Sequence, residues 1–252
     1  MATGKIYDAI NQLKKQNKSA FAVLADPDKI APNDMKHLAK LCNSAGVDYL
    51  FLGGSLLMVQ QVEACLLKFK AESDIPVLLF PGSPLQFCAM ADALLYLSLV
   101  SGRNADLLIG QHVNSAPLIR NSGMEVISTA YMLIDGGVPT TVSYMSNTQP
   151  IPGNKPDIAL STAWAAELQG KHIIYLDAGS GAKKPVSTAM IEKVSKNTGL
   201  PLIVGGGIQN PDQVYADCKA GANIVVVGNA IEKDPLLIQD LCAASKAAGK
   251  IA

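Results

Sequence analysis

Short apolar runs without polar alternation recur along this chain, and amphipathic stretches about one helix long separate them. The runs are AFAVLAD (20–26), DYLFLGG (48–54), IPVLLFPG (75–82), ALLYLSLV (93–100), MEVISTAYMLID (124–135), KHIIYLDAG (171–179), PLIVGGG (201–207) and NIVVVGN (223–229). Runs of that kind are strands of a parallel sheet covered by helices. The segment NPDQVYADCKAGA (210–222) illustrates the helices between them: Asn210 is a candidate N-cap, Pro211 suits the first helical position, and Gly221 is a stop. PNDMKHLAKLCNSAG (32–46) reads the same way, with Pro32 near its start and Gly46 at its end.

Two segments depart from this rhythm. PLQFCAMA (84–91) is too short for an outer helix, so the third crossover is expected to be trimmed or replaced by a loop. GGVPTTVSYMSNTQPIPGNK (136–155) is the longest irregular stretch, and loops of that length are usually functional or mobile. Eight strands with helices between most of them predict one (β/α)8 (TIM) barrel spanning residues 1–252 as a single domain. A doubly wound open sheet is the alternative, but no glycine fingerprint follows the first strand.

Composition narrows function more than fold. Acidic and basic residues balance at 21 each, which argues against a nucleic-acid binder with its basic footprint. Cys42, Cys65, Cys88, Cys218 and Cys242 are scattered with no CxxC or zinc spacing, as expected in a reducing cytoplasm. The N-terminal segment MATGKIYDAINQLKKQNKS is polar and amphipathic rather than a signal peptide, and no run reaches transmembrane length.

In a barrel, chemistry gathers at the C-terminal ends of the strands. The last two strands both stop at glycine, Gly205–Gly207 and Gly228–Asn229. Bare backbone there lets N–H groups approach an anion, which predicts a phosphate site. The sixth strand ends in Tyr175, Leu176, Asp177, Ala178, Gly179, Ser180 and Gly181, a third glycine-rich loop. Tyr175 and Asp177 are two apart and face the same way. A carboxylate at the mouth suits a general base, while an aspartate capping its own loop is the competing reading. The first strand ends at Asp26 and the second at Ser55. A carboxylate and a hydroxyl form a sparse all-oxygen set suited to Mg²⁺ held mostly by water and substrate phosphate. An Asx turn at Asp26–Pro27 is the competing reading there. His37, His112 and His172 have no ligand spacing and read as structural or surface residues. Trp164 and the methionines read as core or subunit interface, and Arg103 as a surface residue that could also meet a diphosphate.

LADPDK, FLGGS, YLDAGSGA, VGGGI and VVVGNAI, in that order over nearly the whole chain, resemble the geranylgeranylglyceryl phosphate synthase family of prenyltransferase barrels. YLDAGSGA together with FPGSP is similar to the second of that family's two groups, whose members occur in archaea and some bacteria and include many hexamers. The resemblance implies alkylation of the C3 hydroxyl of sn-glycerol 1-phosphate by a polyprenyl diphosphate, with loss of diphosphate. By motif position, Asp26 and Ser55 would hold Mg²⁺. Tyr175 through Gly181, Gly206, Gly207, Gly228 and Asn229 would bind glycerol phosphate. Asp177, standing where the other group carries glutamate, would orient or deprotonate the hydroxyl. The family's prenyl groove lies beside the trimmed third crossover, and its lining is not traceable from sequence. A phosphosugar isomerase or aldolase-type barrel, with Lys29 as the one strand-end lysine, and a non-catalytic phosphate-binding barrel are the rival readings.

Overall fold

A computed structural model of the chain describes residues 4–249. Eight parallel strands close in sequence order into a barrel: β1 Ala20–Ala25, β2 Tyr49–Leu52, β3 Val77–Leu79, β4 Ala93–Leu99, β5 Glu125–Leu133, β6 Ile173–Asp177, β7 Leu202–Gly205 and β8 Ile224–Val227. β8 returns to β1 with Ala22 opposite Val226, which seals the ring. All eight expected strands are present, each shorter than its apolar run.

Alternation divides the core in two. Inward-facing Phe51, Leu78, Leu95, Ile127, Tyr175 and Ile203 fill the barrel. Their outward-facing neighbours, such as Leu50, Leu79, Leu176 and Val204, pack beneath the helices. The first helix, α1 (Lys5–Lys15), joins the inner set through Ile10. Glu125 at the start of β5 accepts the backbone N–H groups of Ile6 at 3.1 Å and Tyr7 at 2.7 Å, so a carboxylate satisfies two orphan donors of the helix start. α1 thus closes the end where the strands begin and leaves the other end open.

The outer helices are α2 Met35–Ala45, α3 Val62–Lys70, α4 Gln111–Ser122, α5 Thr141–Ser146, α6 Pro156–Leu168, α7 Thr188–Asn197, α8 Pro211–Lys219, α9 Asn229–Lys233 and α10 Leu237–Ala248. α8 starts as expected, with the Asn210 side chain accepting the Gln213 N–H at 2.9 Å. Pro32 lies outside α2, whose first residue is Met35, while Gly46 ends that helix in the left-handed region. The stretch 136–155 is not wholly irregular: Thr140 and Ser143 form a reciprocal capping box that starts α5. Between β3 and β4 the chain makes a single 3₁₀ turn, Pro84–Gln86, as the missing crossover helix required. A π-helical turn, Asp106–Gly110, leads into α4 and borders the opening so formed.

Candidate active site

β6 projects Tyr175 and Asp177 from its inner face, and both are buried. The Tyr131 hydroxyl, from β5, donates to Asp177 Oδ2 at 2.6 Å, and the Gly179 N–H donates to Oδ1 at 2.7 Å. Asp177 therefore caps its own loop, as one of its two sequence readings had it, and its carboxylate also faces the interior. Phe80 stacks on Tyr175 at 5.1 Å between centroids, and Tyr131 meets Tyr175 edge-on at 5.6 Å. Burial against this aromatic wall raises the Asp177 carboxyl above its ordinary pKa, partly offset by the Tyr131 and Gly179 donors. Burial also holds the Tyr131 phenol well above its ordinary value, with the nearby Asp177 charge acting the same way. Tyr131 is thus a hydrogen-bond donor over the whole working pH range. Sequence reading missed Tyr131; its only signal is an inward register position in MEVISTAYMLID.

The glycine loops of β6 and β7 meet beside this carboxylate. Gly206 has φ +82° and lies so close that a Cβ there would sit 2.5 Å from Asp177 Oδ1 and from the Gly179 nitrogen. A side chain is excluded by both space and backbone conformation. Among the described residues, no protein group accepts the N–H of Ser180, Gly181, Gly206 or Gly207. Four unpaired donors on two adjoining loops form the kind of nest that takes an anion. Gly228 and Asn229 bring the β8 loop alongside: the Ser180 hydroxyl donates to Asn229 Oδ1 at 3.0 Å, and Lys29 Nζ reaches the same oxygen at 3.2 Å.

Asp26 and Ser55 are brought together across β1 and β2. A Cβ on Gly54 would lie 3.1 Å from Asp26 Oδ1, so the carboxylate rests against the backbone that carries Ser55. Asp26 Oδ1 also accepts the Asp28 N–H at 3.0 Å, so the Asx turn exists as well. Asp28 accepts the N–H groups of Met58 at 2.6 Å and Val59 at 3.1 Å, tying the two loops in register. Among the described residues no cluster of three or more histidine, cysteine or acidic side chains stands ready for a metal. One carboxylate and one hydroxyl fit only a cation that keeps most of its shell as water or substrate oxygen, as Mg²⁺ does.

From Ser55 an apolar groove of about 380 Å³ runs through the opening left by the missing crossover. Leu57, Phe80, Phe87 and Leu94 line it on the strand side, Leu107 and Ile119 on the α4 side, and Val142 and Met145 of α5 at its edge. Tyr131 also borders it and so belongs both to the groove and to the carboxylate site. Buried Gln86 braces the mouth: its amide donates to the Gly54 carbonyl at 2.8 Å and accepts from the Gly82 N–H at 3.1 Å and the Gly54 N–H at 3.3 Å. A loop replacing a helix must satisfy its own backbone, and Gln86 does so for two strand ends.

The remaining candidates lie elsewhere. His37 is exposed on α2, and His172 packs against Tyr7 at the closed end, the rings tilted by 35°. His112 is part of the groove wall, edge-on to Tyr96 at 4.5 Å and 3.3 Å from the Ser98 hydroxyl. Arg103 is exposed and donates to its neighbour's carbonyl, that of Gly102. Trp164 is about half exposed, with its indole N–H on the Asn197 carbonyl, and is not core. All five cysteines are free thiols in the core.

The model of the PcrB family matches residues 11–246. The chain is 55% identical over 247 residues to the geranylgeranylglyceryl phosphate synthase of Chitinophaga pinensis, covering 98% of both chains. It is 39% identical to that of Thermococcus kodakarensis, over 91% of this chain and 90% of the other. The crystal structure of (S)-3-O-geranylgeranylglyceryl phosphate synthase from Thermoplasma acidophilum, in complex with its substrate sn-glycerol-1-phosphate, superposes with a TM-score of 0.90 at 28% identity, over 98% of this chain and 100% of that one. Family match, identity and barrel agree along the full length: the chain belongs to the PcrB family, which its relatives represent as geranylgeranylglyceryl phosphate synthases.

Proposed function

We propose that this protein is a prenyltransferase that joins the C3 hydroxyl of sn-glycerol 1-phosphate to a polyprenyl group from its diphosphate. One observation carries the reading: a buried carboxylate stands beside a nest of unpaired N–H donors, and Tyr131 joins that carboxylate to the apolar groove. The nest, with Ser180, Gly206, Gly207, Gly228 and Asn229, takes the acceptor's phosphate. The groove takes the prenyl tail, so the reacting carbon lies near the aromatic wall.

An allylic diphosphate ionises readily because its cation is delocalised, so the protein needs to place one hydroxyl and exclude water. Asp177 accepts the proton of the C3 hydroxyl as the new carbon–oxygen bond forms and the diphosphate's carbon–oxygen bond breaks. Its raised pKa makes it a stronger base than an exposed aspartate. Phe80 and Tyr131 border the groove, and aromatic rings there favour a cation over water. Asp26 and Ser55 would hold Mg²⁺, which when bound neutralises the departing diphosphate. Placing two charged substrates in line and dispersing charge is sufficient without a covalent nucleophile.

No helix among the described residues is long and apolar enough to cross a membrane. A homo-oligomer, a hexamer as in the family's second group, would cover the exposed Ile158, Trp164 and Leu168 of α6. A Schiff-base aldolase reading has less support, because Lys29 is engaged as a cation by Glu232 at 3.0 Å and Asp26 at 3.6 Å.

The test is transfer by purified protein with Mg²⁺, sn-glycerol 1-phosphate and radiolabelled polyprenyl diphosphates of graded length, with sn-glycerol 3-phosphate as control. The expected result is product from the 1-phosphate alone, abolished in Asp26→Ala and slowed about 10²–10⁴-fold in Asp177→Asn. Absence of transfer from every donor would sink the reading.

A further inference from the structure

We infer that Lys29 is a positioning residue for the glycerol phosphate site and acts through the side-chain amide of Asn229. The inference rests on the acceptor site proposed above and names how one of its groups is oriented. Lys29 Nζ lies 3.2 Å from Asn229 Oδ1, and the Ser180 hydroxyl donates to the same oxygen at 3.0 Å. An ammonium can only donate, so the atom it meets must be the amide oxygen rather than the nitrogen. The amide of Asn229 is therefore fixed in one of its two flips, with its NH₂ turned away from Lys29 and Ser180 and free to donate elsewhere.

Lys29 is itself held from two sides. Glu232, one turn beyond Asn229 on α9, takes Nζ at 3.0 and 3.3 Å, and Asp26 Oδ2 lies 3.6 Å away. One lysine from the β1 loop thus reaches the β8 loop, which is joined in turn to the β6 loop through Ser180. The side chain is about two-fifths exposed, and exposed ion pairs add little to stability. The convergence of four oxygens on one ammonium is better accounted for by alignment than by stabilisation. It pins together the three loops that carry Asp26, the β6 glycines and Asn229. Free rotation of the amide would let its oxygen face an incoming phosphate half the time, which repels it. With Lys29 in place only the donor side is presented.

The experiment is a double-mutant cycle on the affinity for sn-glycerol 1-phosphate, measured by titration calorimetry on the full chain. The variants are Lys29→Met, Asn229→Ala and both together, with steady-state kinetics alongside. Each single change is expected to weaken binding about tenfold, and the pair to be no weaker than Asn229→Ala alone. The KM for glycerol phosphate should rise in Lys29→Met while kcat at saturation changes by less than about threefold, a split that general loosening of the fold would not produce. Ser180→Ala, which removes the other donor to the same oxygen, should give a smaller loss in the same direction. Additive losses would overturn the inference, because Lys29 would then act independently of the amide; so would unchanged affinity in Lys29→Met. A wild-type chain that fails to bind sn-glycerol 1-phosphate fails the acceptor assignment itself, and this inference with it. Wild-type binding with additive losses leaves that assignment standing and removes only the role of Lys29.

Discussion

The two halves of the mouth are built on opposite principles. On the β6–β8 side, backbone lines the mouth: glycines with positive φ expose N–H groups, and Gly206 admits the loop of Asp177 against β7. On the β1–β4 side, side chains act across an opening that exists because a helix is missing, and a buried glutamine holds that opening in shape. The first arrangement suits a charge held over a few ångströms and leaves little room for change. The second suits a long apolar group, with the work shared among many small contacts. Substitutions on the two sides should therefore fail in different ways.

The largest contrast is expected from Gly206→Ala. Its Cβ would collide with Asp177 and the Gly179 nitrogen at a backbone angle that alanine resists. Affinity for glycerol phosphate should fall about ten- to a hundredfold, as measured calorimetrically, with binding of an apolar tail analogue preserved. Ser115→Phe is the reciprocal experiment. Ser115 lines the groove on α4, and a ring there fills it. Transfer from long donors should drop about tenfold relative to a five-carbon allylic diphosphate, while glycerol phosphate affinity is unchanged. Equal losses with both donors would mean that the groove does not hold the tail.

Gln86→Ala tests whether the opening needs its brace. Loss of three hydrogen bonds to two strand ends should cost about 1–3 kcal/mol in chemical denaturation. It should also raise the KM for the prenyl donor more than that for the acceptor.

Tyr131→Phe bears on the point where the halves meet, with the smallest expected effect. As the proposed base, Asp177 must be ionised to accept a proton, so activity should be lost as pH falls through its folded pKa. Burial raises that pKa, and the Tyr131 hydroxyl lowers it. Removing the hydroxyl leaves the carboxylate less stabilised, and the acid limb of the kcat/KM profile should move to higher pH. An unchanged limb would mean that another group sets it.

The same contrast explains what could be read before folding. The β6–β8 site was legible because its signals are local: glycine has few reasons to end two neighbouring strands, and Asp177 interrupts an otherwise apolar run. Asp26 and Ser55 were legible as polar strand ends. The groove was only half visible. The short PLQFCAMA announced a missing helix, but Leu94 read only as part of a strand, Leu107 and Ile119 drew no reading, Val142 lay in a stretch read as irregular, and His112 read as structural or surface. Gln86 gave no local signal, and Tyr131 only its inward register position in a strand.

The sequence by itself determined the eight apolar runs, their order, the glycine ends and the absent crossover, because strand burial, backbone conformation and loop length are written within a few neighbouring residues. Only the tertiary structure decided that Tyr131 meets Asp177, that Lys29 meets Asn229 across 200 residues, and that the missing helix leaves a lined groove rather than a collapsed one. Closing β8 onto β1 brings residues from opposite ends of the chain within hydrogen-bond range, and no pattern along the chain records which of them will touch.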